Sequence, residues 1–176
     1  MTTRFTTLML AGALLCAAIA PAAAQQKPPL SPPAKASVTI GAATITIDYA
    51  QPSMRGRKIM GELVPYDKVW RTGANAATTL KTTAALEIGG TLVPAGTYTL
   101  YTLPGEKGWK LIINKQTGQW GLEYKPEMDL GRVDLKLEDL PSVVEQFTIK
   151  IVPTGNTGML RLEWDKTAAS VSFMVH

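Results

Sequence analysis

The residues best suited to recognise a ligand are concentrated in one stretch, 51–78, which reads QPSMRGRKIMGELVPYDKVWRTGANAAT. It contains Arg55, Arg57 and Arg71, and a guanidinium group presents a planar set of donors that matches carboxylate or phosphate oxygens. Trp70 adds a flat apolar face on which a sugar or another planar group can stack. We predict that this loop binds a small anionic or glycan ligand, or a partner in the cell envelope. The predicted binding residues are Arg55, Arg57, Trp70, Arg71 and Asn75.

A structural role for the same stretch is the alternative. Trp70 is suited to close one end of a β-sandwich, and the arginines can pair with acids to satisfy buried groups around an irregular crossing. On this interpretation the chain is a purely structural envelope protein. The acids available for such pairs are Asp48, Glu62 and Asp67.

The composition disfavours enzymes that depend on histidine, cysteine or a phosphate-binding loop. His176 is the only histidine and Cys16 the only cysteine, so we expect neither a histidine-based metal site nor a nucleophilic triad. The glycine motifs of nucleotide-binding loops do not occur in the sequence. We therefore predict no catalytic residue, no cofactor and no metal site.

A pair of carboxylates is the one catalytic arrangement that stays open. Two Asp or Glu side chains are sufficient for glycoside hydrolysis when they face each other across a sugar. The sequence does not show which carboxylates face each other, so a hydrolase acting on glycans is the second hypothesis. The candidates near loops are Asp48, Glu62, Glu123, Glu127, Asp129 and Asp165.

The elements that must position the loop are β-strands. Apolar and polar residues alternate along 38–49, 132–138, 147–151 and 160–165, which is typical of antiparallel strands with one buried face. Gly-rich and Pro-rich turns separate these segments, and no long amphipathic helix is predicted. We predict a single antiparallel β-sandwich of about nine to ten short strands, with a jelly-roll or a partly closed barrel as alternatives.

Three tryptophans outside the loop belong to different contexts. Trp109 and Trp164 are in phase with their apolar neighbours, so we predict that both lie in the core. Trp120 lies in a connection without clear alternation, and we favour a covered position for it over an exposed patch shared with Tyr124.

The N-terminal residues predict a cleavable secretory signal. Arg4 precedes an apolar run, 8–19, that is too short to span a bilayer, and three alanines at 22–24 provide a cleavage site. The predicted location is therefore periplasmic or secreted, with no transmembrane segment after signal removal. The predicted domains are a signal peptide at 1–24, a Pro-rich flexible tail at 25–36 and a β-sandwich domain at 37–176.

The charge pattern argues against nucleic acid as a partner. The chain has 18 Lys and Arg against 14 Asp and Glu, a formal net charge of +4. No block of basic residues occurs that could follow a phosphate backbone. We therefore predict no nucleic-acid binding.

Two motifs, one that begins just before the loop and one inside it, resemble a known family. Tyr49, Pro52, Gly56 and Arg57 form a YxxPxxxGR element, and WRTGAN follows at 70–75. Together with the LRLEWD segment near the C-terminus, they resemble an exported bacterial family catalogued as domain of unknown function 2911. The resemblance extends over about residues 37–176. It implies an all-β exported domain, with no established activity or ligand and hence no functional residue to transfer.

Overall fold

The computed structural model describes residues 29–176. The predicted signal peptide, 1–24, and the first residues of the predicted tail lie outside the described residues. Residues 33–36 of the predicted tail belong to β1, which begins at Pro33 and pairs with β2. Proline is tolerated at the first position of an edge strand, where its missing N–H does not interrupt the ladder.

Nine β-strands form almost all of the regular structure in residues 29–176, so the predicted all-β fold is confirmed. The strands are β1 (Pro33–Ile40), β2 (Ala43–Ala50), β3 (Thr79–Thr82), β4 (Leu86–Ile88), β5 (Thr91–Val93), β6 (Gly96–Leu103), β7 (Trp109–Asn114), β8 (Asp129–Thr154) and β9 (Thr157–Val175). Neighbouring strands are antiparallel, in the order β1-β2-β3-β6-β7-β8-β9-β4-β5. Within the described residues the edge strands β1 and β5 do not pair with each other, so the sheet is open.

The long strand β8 folds this sheet into a two-layered sandwich. Its first residues pair with β7, and the residues from Lys136 onward pair with β9, so the chain passes from one layer to the other within 26 residues. Side chains from both layers face each other around a small apolar void. Its lining includes Ile45, Ile47 and Leu80 from the first layer and Leu86, Ile88 and Phe173 from the second.

The C-terminal third departs from prediction in its number of strands. The alternation predicted separate strands at 132–138 and 147–151, but both segments belong to the continuous strand β8. β8 bends at irregularities of pairing between Asp139 and Val144 and between Val144 and Thr148. Asp165 on β9 has a φ of 54°, a left-handed conformation that accompanies bulges. A bulge lets a strand bend while it remains hydrogen-bonded to its neighbour. The alternation of apolar and polar residues does not reveal such a continuous, bent strand.

The positions of two tryptophans and the turn between β4 and β5 agree with the sequence. Trp109 and Trp164 are buried in the core, as predicted. Gly89 and Gly90 have φ values of 53° and 82° and join β4 to β5 in a two-residue hairpin, which requires positive φ at both positions. These features fix the scaffold on which the irregular loops rest.

Helical structure is minimal. The one helical element in the described residues is a short 3₁₀ turn at Pro126–Met128. In residues 29–176 there is no helix with the length and apolar character needed to cross a membrane.

Candidate functional site

The loop 51–78 crosses one end of the sandwich between β2 and β3 and is fixed to both layers. Near its start, the N–H of Phe147 on β8 donates to the carbonyl of Pro52 at 2.9 Å. Further along, Trp70 and Thr102 on β6 exchange two backbone hydrogen bonds of 2.8 and 2.9 Å. The loop forms isolated bridges and no strand of its own, as its lack of alternation predicted. It is therefore an ordered irregular platform.

Four non-glycine residues of the loop have a positive φ, and two of them, Thr72 and Asn75, lie in the WRTGAN segment. Thr72 is fully buried and has a φ of 54°, a conformation that costs a β-branched residue about 1–3 kcal/mol. Its hydroxyl lies 3.2 Å from that of Thr102, and its carbonyl accepts from the Thr78 hydroxyl at 2.8 Å. Asn75 also has a positive φ, of 61°. These buried hydrogen bonds hold a strained backbone that sets the direction of Arg71.

Trp70 is part of an aromatic cluster between the loop and the core. Its ring stacks on Trp164 with centroids 5.8 Å apart and packs edge-on against Phe147 at 5.0 Å. Trp164 is buried, and its indole N–H donates to the carbonyl of Glu145 at 3.2 Å. Trp70 itself is half-buried. It therefore closes the end of the sandwich and still presents part of its surface outward.

A cleft of about 460 Å³ lies against Trp70, within the range of about 300–1,000 Å³ typical of small-molecule sites. Four of the five predicted binding residues line it: Arg57, Trp70, Arg71 and Asn75. Arg55 lies outside the lining, and its guanidinium donates to the carbonyl of Leu30 at 2.8 Å. Since Leu30 lines the cleft, Arg55 fixes the chain at the cleft's border.

The cleft is positively charged. Among the described residues, Arg57, Lys68 and Arg71 line it and no Asp or Glu does, so we call it the cationic cleft. In the part of the chain that the structure describes, none of the three forms an ion pair with a carboxylate. Arg57 donates hydrogen bonds of 2.9 and 2.7 Å to carbonyls of its own loop, and Arg71 donates one of 3.3 Å. Neutral carbonyls orient these groups and leave their charge uncompensated.

The ion pairs expected under the structural alternative do not form. Asp48 pairs with Lys35 and Lys81, and Glu62 pairs with Lys58. The pKa of Asp48 lies below its usual value, because hydrogen bonds from the two lysines outweigh the larger single effect of burial, which raises it. Asp48 and Glu62 thus pair with lysines and not with the arginines of the loop.

Two carboxylates on the neighbouring strands β8 and β9 share one cation. Arg161 donates to Glu138 at 2.6 Å and to Glu163 at 2.7 Å, and Lys150 binds the second oxygen of Glu163 at 2.6 Å. The Arg161 hydrogen bond lowers the pKa of Glu138. Burial alone raises the pKa of Glu163, but Lys150 and Arg161 together lower it. A glycosidase needs one carboxyl with a raised pKa to act as the acid, so this pair is unsuited to that role.

A second loop, 115–128, packs against the first and completes one wall of the cleft. The N–H of Gly121 donates to the carbonyl of Asn75 at 3.0 Å. A Cβ at Gly121 would lie 2.7 Å from that carbonyl oxygen and 2.8 Å from Cδ of Arg71. Only glycine allows this approach, so the contact between the two loops depends on it.

A polar network under the second loop holds it in place. The Tyr124 hydroxyl donates to Asp129 at 2.7 Å and accepts from Arg132 at 2.7 Å, while Asn114 donates to the other oxygen of Asp129 at 2.9 Å. Burial, followed by the hydrogen bond to Asp129, raises the pKa of Tyr124 to about 12. The loop is therefore anchored at its C-terminal end by partly buried polar contacts.

Exposed apolar side chains surround the cationic cleft. Leu122, 71 % exposed, belongs to its lining, as do the exposed residues Leu30, Leu63 and Val69. Trp120, two residues before Leu122, is half exposed, so our preference for a covered Trp120 is wrong. Large exposed apolar side chains grouped at one site are uncommon on the surface of folded domains.

Sequence reasoning missed several cleft residues, among them Lys68, Val69 and Leu122. Lys68 and Val69 lie inside the predicted loop but were not singled out, and Leu122 lies in a different loop. The signal for Leu122 was available, because it follows Trp120 and Gly121 in a connection without alternation. What the sequence does not show is that this connection meets loop 51–78.

Metal binding has no support in the described residues. Between residues 29 and 176, no three His, Cys, Asp or Glu side chains come close enough to hold a metal ion.

Comparison with known protein families gives one result. The model of a family described as proteins of unknown function, DUF2911, matches residues 31–173. The comparison with curated proteins gives no match, and the comparison with solved structures gives none either. Because the match extends over most of the chain, the chain belongs to the DUF2911 family.

Proposed function

We propose that this domain is a non-enzymatic binding module that holds the oxyanion of a small ligand in the cationic cleft. One observation carries the proposal: Arg57, Lys68 and Arg71 line one cleft, and within the described part of the chain no acid lines it and no carboxylate pairs with any of the three. An oxyanion entering the cleft receives charge-assisted hydrogen bonds, which are about twice as strong as neutral ones.

An anion fits the cleft better than a neutral glycan. Sugars stack on an open aromatic face, whereas one face of Trp70 is covered by Trp164. Arg57 and Lys68 are exposed, and Arg71 is half-buried, so their donors are accessible to a charged group.

Binding without catalysis fits the lining better than a hydrolase does. Among residues 29–176, no Asp, Glu, His or Cys lines the cleft, and the carboxylate-pair mechanism requires two acids across the substrate. The cleft thus supplies charge and shape, and it lacks the acid and base that glycoside hydrolysis needs.

A phosphate titration followed by NMR tests the proposal. Adding inorganic phosphate to the ¹⁵N-labelled protein is expected to shift the amide signals around Arg57 and Arg71 in a saturable manner. In the double variant R57M/R71M, the apparent affinity falls at least about tenfold, because a hydrogen bond to a charged group contributes roughly 1.5–3 kcal/mol. Methionine keeps much of the apolar stem of arginine and removes its charge.

A charge-matched control separates site binding from general electrostatics. The double variant K81M/K110M removes two exposed cations on β3 and β7, which pair with Asp48 and Asp134. It is expected to bind phosphate like the unchanged protein. Equal losses in the two double variants, or shifts spread evenly over the surface, would refute a site in the cleft.

Export is the second part of the proposed function and is supported by the sequence of residues 1–24. We expect the protein recovered from the periplasm or medium of an expressing Gram-negative cell to begin near Gln25. N-terminal sequencing of the fractionated protein checks this. A chain that keeps Met1 and stays in the cytoplasm contradicts it.

A further inference from the structure

The structure points to a ligand class for this site: we infer that the cationic cleft takes an amphiphilic anion, with a phosphate or carboxylate head on the arginines and an apolar chain on the rim. This inference rests on the proposed function and extends it. It is carried by the second loop and the exposed leucines, which a site for a small inorganic anion does not need.

The first observation concerns the rim of the cleft, which we define as Leu30, Leu63, Val69 and Leu122. All four are large, exposed apolar residues that line the cleft. They come from three separate segments of the chain: the residues before β1, loop 51–78 and loop 115–128. Apolar side chains from distant segments meet here around a charged centre, which is the pattern of a site for a molecule with both characters.

The chain places the rim by specific contacts. Arg55 donates to the carbonyl of Leu30, and Gly121 donates to Asn75 immediately before Leu122. Tyr124, two residues after Leu122, anchors the second loop through the hydrogen bond that its hydroxyl donates to Asp129. The exposed leucines are therefore presented by hydrogen-bonded backbone.

The positive charge of the lining predicts a negatively charged head group. The ionisable residues of the lining are Arg57, Lys68 and Arg71, all cationic. Trp70 and Trp164, which stack on each other, also belong to the lining and form its aromatic wall. A neutral or cationic amphiphile leaves these three cations without a partner, whereas a phosphate or carboxylate head binds them.

A series of alkyl phosphates tests the inference. Tryptophan fluorescence or calorimetry with inorganic, butyl, hexyl and octyl phosphate, each below its micellar concentration, measures the effect of the chain. Affinity is expected to rise about tenfold for every two methylenes that the rim covers. Octyl glucoside, which has the chain without the charge, is expected to bind far more weakly.

Two variants with a matched control test the role of the rim. Leu122→Ser and Leu63→Ser are expected to lower octyl phosphate affinity about threefold to tenfold and to leave inorganic phosphate affinity unchanged. Leu92→Ser removes a leucine on β5 outside the cleft, whose exposed fraction of 60 % lies between those of Leu63 and Leu122. This control is expected to bind like the unchanged protein.

The outcomes separate the two proposals. If inorganic phosphate binds in the cleft and the alkyl chain adds no affinity, the amphiphile inference is wrong and the anion site stands. If no phosphate binds and R57M/R71M changes nothing, the proposed function fails, and the inference fails with it.

A vesicle experiment distinguishes a free amphiphile from a lipid head group. Co-sedimentation with phosphatidylglycerol vesicles, lost in Leu122→Ser, assigns the anion to the membrane surface. Octyl phosphate binding without co-sedimentation assigns it to a free amphiphile. Either result supports an amphiphilic anion and identifies its source.

Discussion

Single substitutions of the cleft arginines are expected to weaken anion binding much more than folding. Arg57→Met removes two exposed hydrogen bonds to backbone carbonyls from the folded protein. Arg71→Met removes one hydrogen bond, of 3.3 Å. Neither residue has an ion pair to lose in the described structure. Partly exposed contacts of this kind contribute at most about 1 kcal/mol to the free energy of unfolding.

This free energy converts to a small change in melting temperature. For a domain of this size, about 1 kcal/mol shifts the Tm by roughly 2–4 °C, so we expect each variant to lose less than about 4 °C. The same substitutions remove one charge-assisted donor from the ligand, which corresponds to a loss of about tenfold or more in phosphate affinity. Thermal denaturation by circular dichroism and phosphate titration of the same samples give both values.

Arg161→Met provides the contrast that makes the measurement decisive. Arg161 is mostly buried and binds two carboxylates, so its loss is expected to cost about 1–3 kcal/mol, with no change in phosphate affinity. If Arg57→Met or Arg71→Met instead lowers the Tm by 10 °C or more and leaves phosphate binding intact, the loop is a structural closure and our reasoning is wrong.

Three further predictions concern acid, base and loop packing. Glu163 has a lowered pKa in the folded state, so its contribution to stability is present above the unfolded pKa and is lost as pH falls through the folded value. Glu163→Gln should therefore lower the free energy of unfolding by about 1–3 kcal/mol at neutral pH and make the Tm fall less steeply as the pH decreases. An unchanged dependence of Tm on pH in the acid range would contradict this. Tyr124 has a raised pKa of about 12 against 10.0, so its contribution is complete below pH 10.0 and is lost as pH rises toward 12. Tyr124→Phe should reduce the alkaline loss of stability measured by urea denaturation, and an unaltered slope would argue against the network. Gly121→Ala forces a Cβ against the carbonyl of Asn75, which should cost about 1–3 kcal/mol and weaken phosphate binding, whereas wild-type values for both would show that the loops are not in contact.

The general architecture was predictable from the sequence because alternation is a local property. Ile45 and Ile47 point inward with threonines between them, and Gly89-Gly90 fixes a hairpin, so the all-β sandwich follows from short windows. The continuity of β8 was not predictable in the same way. It depends on bulges around Val144, whose pairing partners lie on β9.

The site was predictable in part for the same reason. Arg57, Trp70, Arg71 and Asn75 belong to one non-alternating loop, so their composition alone indicated a common surface. Leu122 and Leu30 reach that surface from other segments, and their proximity depends on long-range backbone contacts at Asn75 and Arg55. A single sequence carries no local signal for such contacts, so the apolar half of the site was missed.

A crystal structure of the protein with octyl phosphate tests the central claim most directly. Our account places the phosphate within hydrogen-bond distance of the Arg57 and Arg71 guanidinium groups, with the alkyl chain against Trp70 and Leu122. A phosphate bound away from these arginines, or an empty cleft in crystals grown at saturating octyl phosphate, would contradict it.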